Sequence, residues 1–273
     1  MTYNDLLTRL MKISPDEYEF EARVMIESFG EGMSPLYAFM HRDEEINSSK
    51  LESALKQREE RIPLQYIIGH WDFYRQTYIV NENCLIPRSD TEILVDSAIN
   101  LLPEDAYFVD LCTGSGCVAI STLCERKDTR AILVDKFEKT LAVAIENIKQ
   151  NGVETRADAM LFDVLTEENR LSGYRFDAII SNPPYIRPDV IETLSPEVKK
   201  EPYAALYGGD DGLVFYRKML SDYSVYLKEN GFFLFEIGYD QGDSLRTLAR
   251  EHGYECKIIK DYSCNDRVAY IKK

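Results

Sequence analysis

The chain has 273 residues, 45% of them hydrophobic and 29% charged, which suits one or two packed domains and excludes a disordered chain. Acidic residues outnumber basic ones 47 to 32, and the net charge of −15 repels phosphate backbones, so no stable nucleic-acid binding is expected. No apolar run reaches the ~18 residues of a membrane span, and the polar start MTYNDLLTRLMKISPDEY lacks a secretory apolar core; the expectation is a cytoplasmic protein with no membrane association.

Residues 2–61 carry apolar side chains at helical spacing. Leu6, Leu7, Leu10 and Met11 make one face, Phe20, Val24, Met25 and Phe29 a second, and Leu51, Leu55 and Ile62 a third. Gly30, Gly32, Pro35 and Ser48-Ser49 punctuate them, with Ser49 a candidate cap for the last helix. The expectation is a small helical bundle over 1–62. Residues 66–80, YIIGHWDFYRQTYIV, turn β-branched and aromatic and read as a hairpin within a linker of 63–84. An extended CLIPR then runs into a helix from about Ser89.

From Tyr107 strands and helices alternate: YFVDLC, CVAISTLCER, AILVD, KFEKTLAVAIENIKQNG, AMLFDV, FDAIIS, FFLFEI, QGDSLRTLAREHG, YECKIIKDY and RVAYIKK. That alternation predicts an α/β domain over 85–273, with a mostly parallel sheet covered by helices on both faces and its ligand site at the strand carboxyl ends. Six cysteines (Cys84, Cys112, Cys117, Cys124, Cys256, Cys264) include no CxxC pair and no matching His cluster. They read as buried thiols, with no metal site and no disulfide framework.

The first strand ends in Asp110-Leu111-Cys112-Thr113-Gly114-Ser115-Gly116. Gly114 and Gly116 would let the backbone approach a ligand where a Cβ would intrude. A GxG turn by itself also fits dinucleotide sites and ordinary tight turns; with Ala119 at the third position the loop departs from GxGxxG, although that ending is tolerated in dinucleotide folds. Asp135, ending the second strand, is placed to accept from both hydroxyls of a ribose, or to cap the helix that follows. Asp163, read as ending the third strand, could accept from an adenine amine, with Val164 packed on the ring.

Ser181-Asn182-Pro183-Pro184-Tyr185 follows the fourth strand. Two prolines remove the N–H donors, leaving the Asn182 side-chain oxygen and the Pro183 carbonyl as acceptors. Such a fork suits a planar NH₂ group, with Tyr185 stacked on it and the nitrogen aimed at an electrophile. The bland alternative is a polyproline turn whose tyrosine merely packs.

NPPY after the fourth strand and DLCTGSG after the first resemble the class I S-adenosylmethionine-dependent methyltransferases that act on amino nitrogens. Further strings narrow the likeness: PLQYIIG (63–69), LIPRSDTE (85–92), Glu201-Pro202, Ala205-Leu206, GGDDGL (208–213), Glu236-Ile237-Gly238 and Asp266-Arg267-Val268. Together they are similar to the peptide chain release factor glutamine methyltransferases, the PrmC/HemK family, from about residue 60 to the C-terminus. Two positions depart: Ser89-Asp90 replaces Pro-Glu, with Ser89 still a good helix cap, and Cys112 stands where the family usually has Gly.

The resemblance implies a Rossmann-like, seven-stranded class I methyltransferase fold. It implies S-adenosylmethionine held by Cys112, Thr113, Gly114, Ser115, Gly116, Asp135, Asp163, Val164 and Asn182, and left as S-adenosylhomocysteine. Asn182, Pro183, Pro184 and Tyr185 would address the substrate: the glutamine amide of a GGQ motif in bacterial class 1 release factors. The bundle would dock a second surface of that factor. Glutamine methylation of a ribosomal protein and adenine methylation of nucleic acid are the alternatives on the same fork.

Overall fold

The computed structural model describes residues 1–273, which divide into two compact units: Met1–His70 with Ser195–Lys200, and Trp71–Leu194 with Glu201–Lys273. No helix is long and apolar enough to cross a membrane.

The first unit holds five helices, α1 (Tyr3–Met11), α2 (Tyr18–Phe29), α3 (Pro35–Met40), α4 (Ser49–Glu59) and α5 (Leu64–Ile68). Thr2 and Asp5 close a reciprocal capping box on α1. Ser48, not Ser49, caps α4, its hydroxyl accepting from the Leu51 N–H at 3.1 Å, because Ser48 is the last residue with extended backbone. The core gathers Leu6, Leu10, Ala22, Met25, Ile26, Leu51 and Leu55. Met11 and Phe20, expected on buried faces, are 48% and 41% exposed; on α2, Ala22 and Ile26 join Met25 in the buried stripe. Within the same unit Arg58 is buried, bidentate to Glu21 at 2.8 and 3.0 Å, and bonded to Glu197 at 2.9 Å. Removing one partner of such a buried pair costs about 3–5 kcal/mol, so this cluster fastens the Ser195–Lys200 segment to its helices.

Tyr66, Ile67 and Ile68, expected in the hairpin, are helical. Pro63 precedes α5 as its N-cap residue, and Gly69 ends it in the left-handed region at φ +84. The hairpin itself is shorter, β1 (His70–Phe73) and β2 (Gln76–Ile79), turning at Tyr74, whose φ is +57.

The second unit continues with α6 (Glu92–Leu101), β3 (Tyr107–Leu111), α7 (Cys117–Glu125), β4 (Arg130–Asp135), α8 (Glu138–Gln150), β5 (Ala157–Leu161) and β6 (Phe176–Ser181). After these come α9 (Pro188–Ile191), α10 (Val214–Lys218), β7 (Leu227–Glu236), α11 (Gly242–Glu251), β8 (Glu255–Lys260) and β9 (Asp266–Lys272). Ser89, expected as a cap, lies in a 3-10 turn over Ser89–Thr91 and makes no cap bond.

The sheet order is β5-β4-β3-β6-β7-β9-β8; β5 through β7 run parallel, and β9 is antiparallel to both its neighbours. β3, β4 and β6 are buried almost end to end, the pattern of a parallel sheet covered on both faces. Chain order reverses between β3 and β6, where Leu111 pairs with Ser181. At such a switch point the loops leaving adjacent strands diverge and open a crevice.

Candidate active site

A cavity of about 370 Å³ fills that crevice, at the carboxyl ends of β3, β4, β5 and β6. Its walls include Cys112, Thr113, Gly114 and Ser115 from the first loop, Asp135 at the end of β4, and Asp163 and Val164 after β5. Asn182 and Pro184 come from the loop after β6, whereas Gly116, Pro183 and Tyr185 stand off the wall.

The first loop is held from several sides. Asp110, fully buried, accepts from the Thr113 hydroxyl at 2.6 Å; burial pushes its carboxyl up to about 7 against the pull of that bond. Cys112 takes φ +61, a left-handed conformation that costs an L side chain about 1–2 kcal/mol and that a glycine would adopt freely. Gly114, at φ +59, has open space where a Cβ would stand, so its backbone is free to meet a ligand. Gly116 serves packing instead of ligand approach: a Cβ there would lie 2.8 Å from Ile120 Cδ1 and 3.1 Å from Leu133 Cδ2. Asn147 of α8 donates to the Ser115 carbonyl at 2.9 Å and exchanges two bonds with the Ile79 backbone, tying loop to hairpin.

Asp135 does not cap α8, which begins three residues later. One carboxylate oxygen accepts from Phe137 N–H at 3.0 Å and the other from Gly114 N–H at 3.1 Å, leaving lone pairs of both free for the cavity. Burial raises its pKa, opposed by those backbone donors. Asp163 lies two residues beyond the last residue of β5 because the strand ends at Leu161. Partial burial disfavours its charge, but the Lys136 ammonium at 2.8 Å and the Leu165 N–H at 2.9 Å outweigh that and hold it below the ordinary range. Arg88 is spent on Glu201, which also accepts from Ile86 N–H at 3.0 Å. The cavity's two cations are therefore neutralised by carboxylates, while the Asp135 carboxylate has no cation partner, which suits a cationic ligand. Cys84, Cys112 and Cys117 also line it, and burial pushes all three thiols up, Cys84 to about 11 and Cys117 to about 12.

Asn182 donates from Nδ2 to the Thr91 hydroxyl at 3.2 Å, which leaves Oδ1 as its free end. Behind it the Tyr185 hydroxyl donates to Glu236 Oε1 at 3.3 Å. Gln241 donates to the carbonyls of Tyr185 and Gly212 at 3.3 and 3.2 Å. Gly208 and Gly212 press on the loop so closely that Cβ atoms there would lie 2.5 Å from Tyr185 Cα and 2.4 Å from the Tyr185 carbonyl oxygen. Asn147 and Gln241 are not singled out in the sequence, and Thr91 and Glu236 stand there only within longer strings, with no role at the site. Asn147 carried a signal, being a polar residue in helical phase with the apolar positions Val143 and Ala144.

Residues 4–69 match the family described as the PrmC N-terminal domain, and residues 90–198 the methyltransferase small domain. The chain is 38% identical to the release factor glutamine methyltransferase of Fusobacterium nucleatum over 87% of this chain and 68% of that one. To the enzyme of that name from Clostridium botulinum it is 34% identical, with 100% of both chains covered. A methyltransferase from Pyrococcus furiosus shares the fold, with a TM-score of 0.52 at 16% identity over 71% of this chain and 87% of its own. With end-to-end likeness and with a cavity at the strand ends of the matching fold, this chain belongs to the release factor glutamine methyltransferase family.

Proposed function

We propose that the chain methylates the side-chain amide nitrogen (N5) of the glutamine in the GGQ motif of bacterial class 1 release factors, using S-adenosylmethionine, in the cytoplasm. The observation that carries this reading is Asn182: its amide nitrogen is occupied by Thr91, so an acceptor oxygen is what it has to offer at the cavity wall.

The residues fit the methyl donor. Asp135 retains carboxylate lone pairs suited to ribose hydroxyls, the Gly114 backbone lies open, and Val164 offers an apolar surface beside Asp163 for an adenine. The acidic wall matches a ligand bearing sulfonium and ammonium charges. When bound, S-adenosylmethionine supplies a methyl group on a sulfonium whose sulfur keeps the C–S electron pair.

A glutamine amide is a poor nucleophile because its nitrogen lone pair is delocalised into the carbonyl. The enzyme's task is to hold that nitrogen close and draw it toward pyramidal geometry; placement at ~3–3.5 Å contributes several kcal/mol. Asn182 Oδ1 accepts one N–H at the wall, with the Pro183 carbonyl, set back from it, proposed as the second acceptor of the fork. Both accept more strongly as positive charge develops on nitrogen, which lowers the barrier. The nitrogen lone pair becomes the new N–C bond, and one amide proton leaves to solvent.

A tripeptide offers far less surface than the ~800 Å² per partner of a specific interface, so the helical unit is assigned the task of docking the rest of the factor. Helix α3 is suited to it, exposing Leu36 at 69% and Met40 at 72%. The test is tritiated methyl transfer to purified release factors, with mass spectrometry of the GGQ peptide. Label confined to ribosomal protein or to DNA in parallel reactions would overturn the reading.

A further inference from the structure

Three strings of the sequence that methyl transfer leaves without a task meet behind the Asn182 loop. They are LIPRSDTE, which supplies Thr91; Glu236-Ile237-Gly238; and Asp266-Arg267-Val268. Thr91 and Glu236 are each only 2% exposed. Glu236 ends β7, one residue past the Phe235 that pairs with Ser181, so it stands level with Asn182. Its carboxylate accepts from Tyr185 at 3.3 Å, and its backbone carbonyl from the Tyr216 hydroxyl at 2.7 Å. Arg267, bonded to Asp90 at 3.0 Å and Asp261 at 3.2 Å, adds its charge to the same pocket. Glu236 Oε2 is buried with no hydrogen-bond partner, and the Thr91 side chain is near enough to the carboxylate to favour its charged form.

A carboxamide presents either an acceptor or a donor, and what its hidden end binds decides which. The Asn182 nitrogen donates to Thr91. A hydroxyl that accepts on that side has its own hydrogen to place, and the acceptor it faces is Glu236. An ionised carboxylate only accepts, so it fixes the direction of the chain: Asn182 N–H to Thr91, Thr91 O–H to Glu236. Were the last link reversed, the Thr91 hydrogen would point at Asn182, draw its oxygen inward and turn NH₂ toward the cavity. That group would oppose the NH₂ of a substrate amide.

We infer that Thr91 and Glu236 are positioning residues, the Glu236 carboxylate acting through the Thr91 hydroxyl to keep the Asn182 oxygen turned to the substrate while it anchors Tyr185. This rests on the reading of Asn182 as the acceptor of the glutamine amide. Burial pushes the Glu236 carboxyl up to about 7, opposed by Thr91, Arg267 and Tyr185 and aided by Asp90; Tyr216 and Cys117 are the other titratable groups that feel its charge. Turnover in the wild type is therefore expected to rise with pH through about 7 as Glu236 ionises.

The experiment compares Thr91→Val, Thr91→Ser, Glu236→Gln and Asn182→Ala in the full chain, measuring kcat on release factor, cofactor Kd by calorimetry, and the pH profile. Valine keeps the shape and loses the hydroxyl, so kcat should fall about tenfold to a hundredfold, the scale of a misplaced reacting group, with Kd within about twofold. Thr91→Ser should recover most of the rate, and Glu236→Gln should lose the rising limb near neutral pH. Full turnover in Thr91→Val, or serine as poor as valine, overturns the inference; should Thr91→Val fail to fold, a wild-type pH limb in Glu236→Gln does so. If Asn182→Ala itself keeps full turnover, it is the underlying reading that fails.

Discussion

Gly208 lies against Tyr185 so closely that a Cβ on it would stand 2.5 Å from the Tyr185 Cα and 2.8 Å from the Pro184 carbonyl oxygen. The contact is backbone on backbone, reinforced by the Gly208 N–H donating to the Ile186 carbonyl at 3.0 Å, so no side-chain rotation relieves it. Gly208→Ala should displace the Asn182 loop, lower kcat/KM by about a hundredfold, and destabilise the fold by about 1–3 kcal/mol. Steady-state kinetics with thermal melts will check this; unaltered kinetics would mean the loop is not held from behind.

Asn182→Ala removes the positioned acceptor. A fall in kcat of about 10²–10³ with little change in cofactor affinity is expected, matching the loss of one polar group aimed at developing charge. Single-turnover rates beside calorimetry separate the two quantities.

Asp135→Ala should weaken S-adenosylmethionine binding by about 1.5–3 kcal/mol, the worth of a hydrogen bond to a charged acceptor. Because Asp135 also holds the Gly114 and Phe137 N–H groups, this variant should melt lower even without cofactor. Asp135→Asn keeps one acceptor and should sit between. Equal affinities in all three would leave Asp135 a purely structural residue.

Asp110 gives a pH dependence of stability. Its pKa is raised to about 7 in the fold from an ordinary 3.8, so the folded state binds the proton more tightly than the unfolded one. Its contribution is therefore most favourable below about 4 and is lost as pH rises through about 7. Asp110→Asn lacks this titration, so its stability relative to wild type should improve from pH 5 to pH 8, by at most about 3 kcal/mol. Denaturant unfolding of both chains at the two pH values measures it, and a constant difference would contradict it.

Leu36→Asp with Met40→Asp charges the exposed face of α3 without touching the core of the helical unit. If that face docks release factor, KM for the intact factor should rise at least about tenfold, while the rate on a short GGQ peptide stays within about twofold. Equal effects on both substrates would locate the damage elsewhere.

Neighbouring residues alone specify the alternating strands and helices, the loops at their ends and the Asn182-Pro183-Pro184-Tyr185 string. These are legible because hydrophobic period and turn chemistry are local properties of neighbouring residues. That legibility fails where local signals compete: Tyr66–Ile68 read as strand from composition, yet Pro63 and Gly69 bracket one helical turn. Which residues surround the string was a tertiary decision. Thr91 reaches Asn182 from 91 positions away, and Glu236 reaches Tyr185 across 51, because β6 and β7 are neighbours in the sheet. Gly116 and Gly114 look alike in sequence, but one meets Ile120 and Leu133 and the other open space. Pairing, burial and close approach are set by segments remote in the chain, and no window of neighbouring residues contains them.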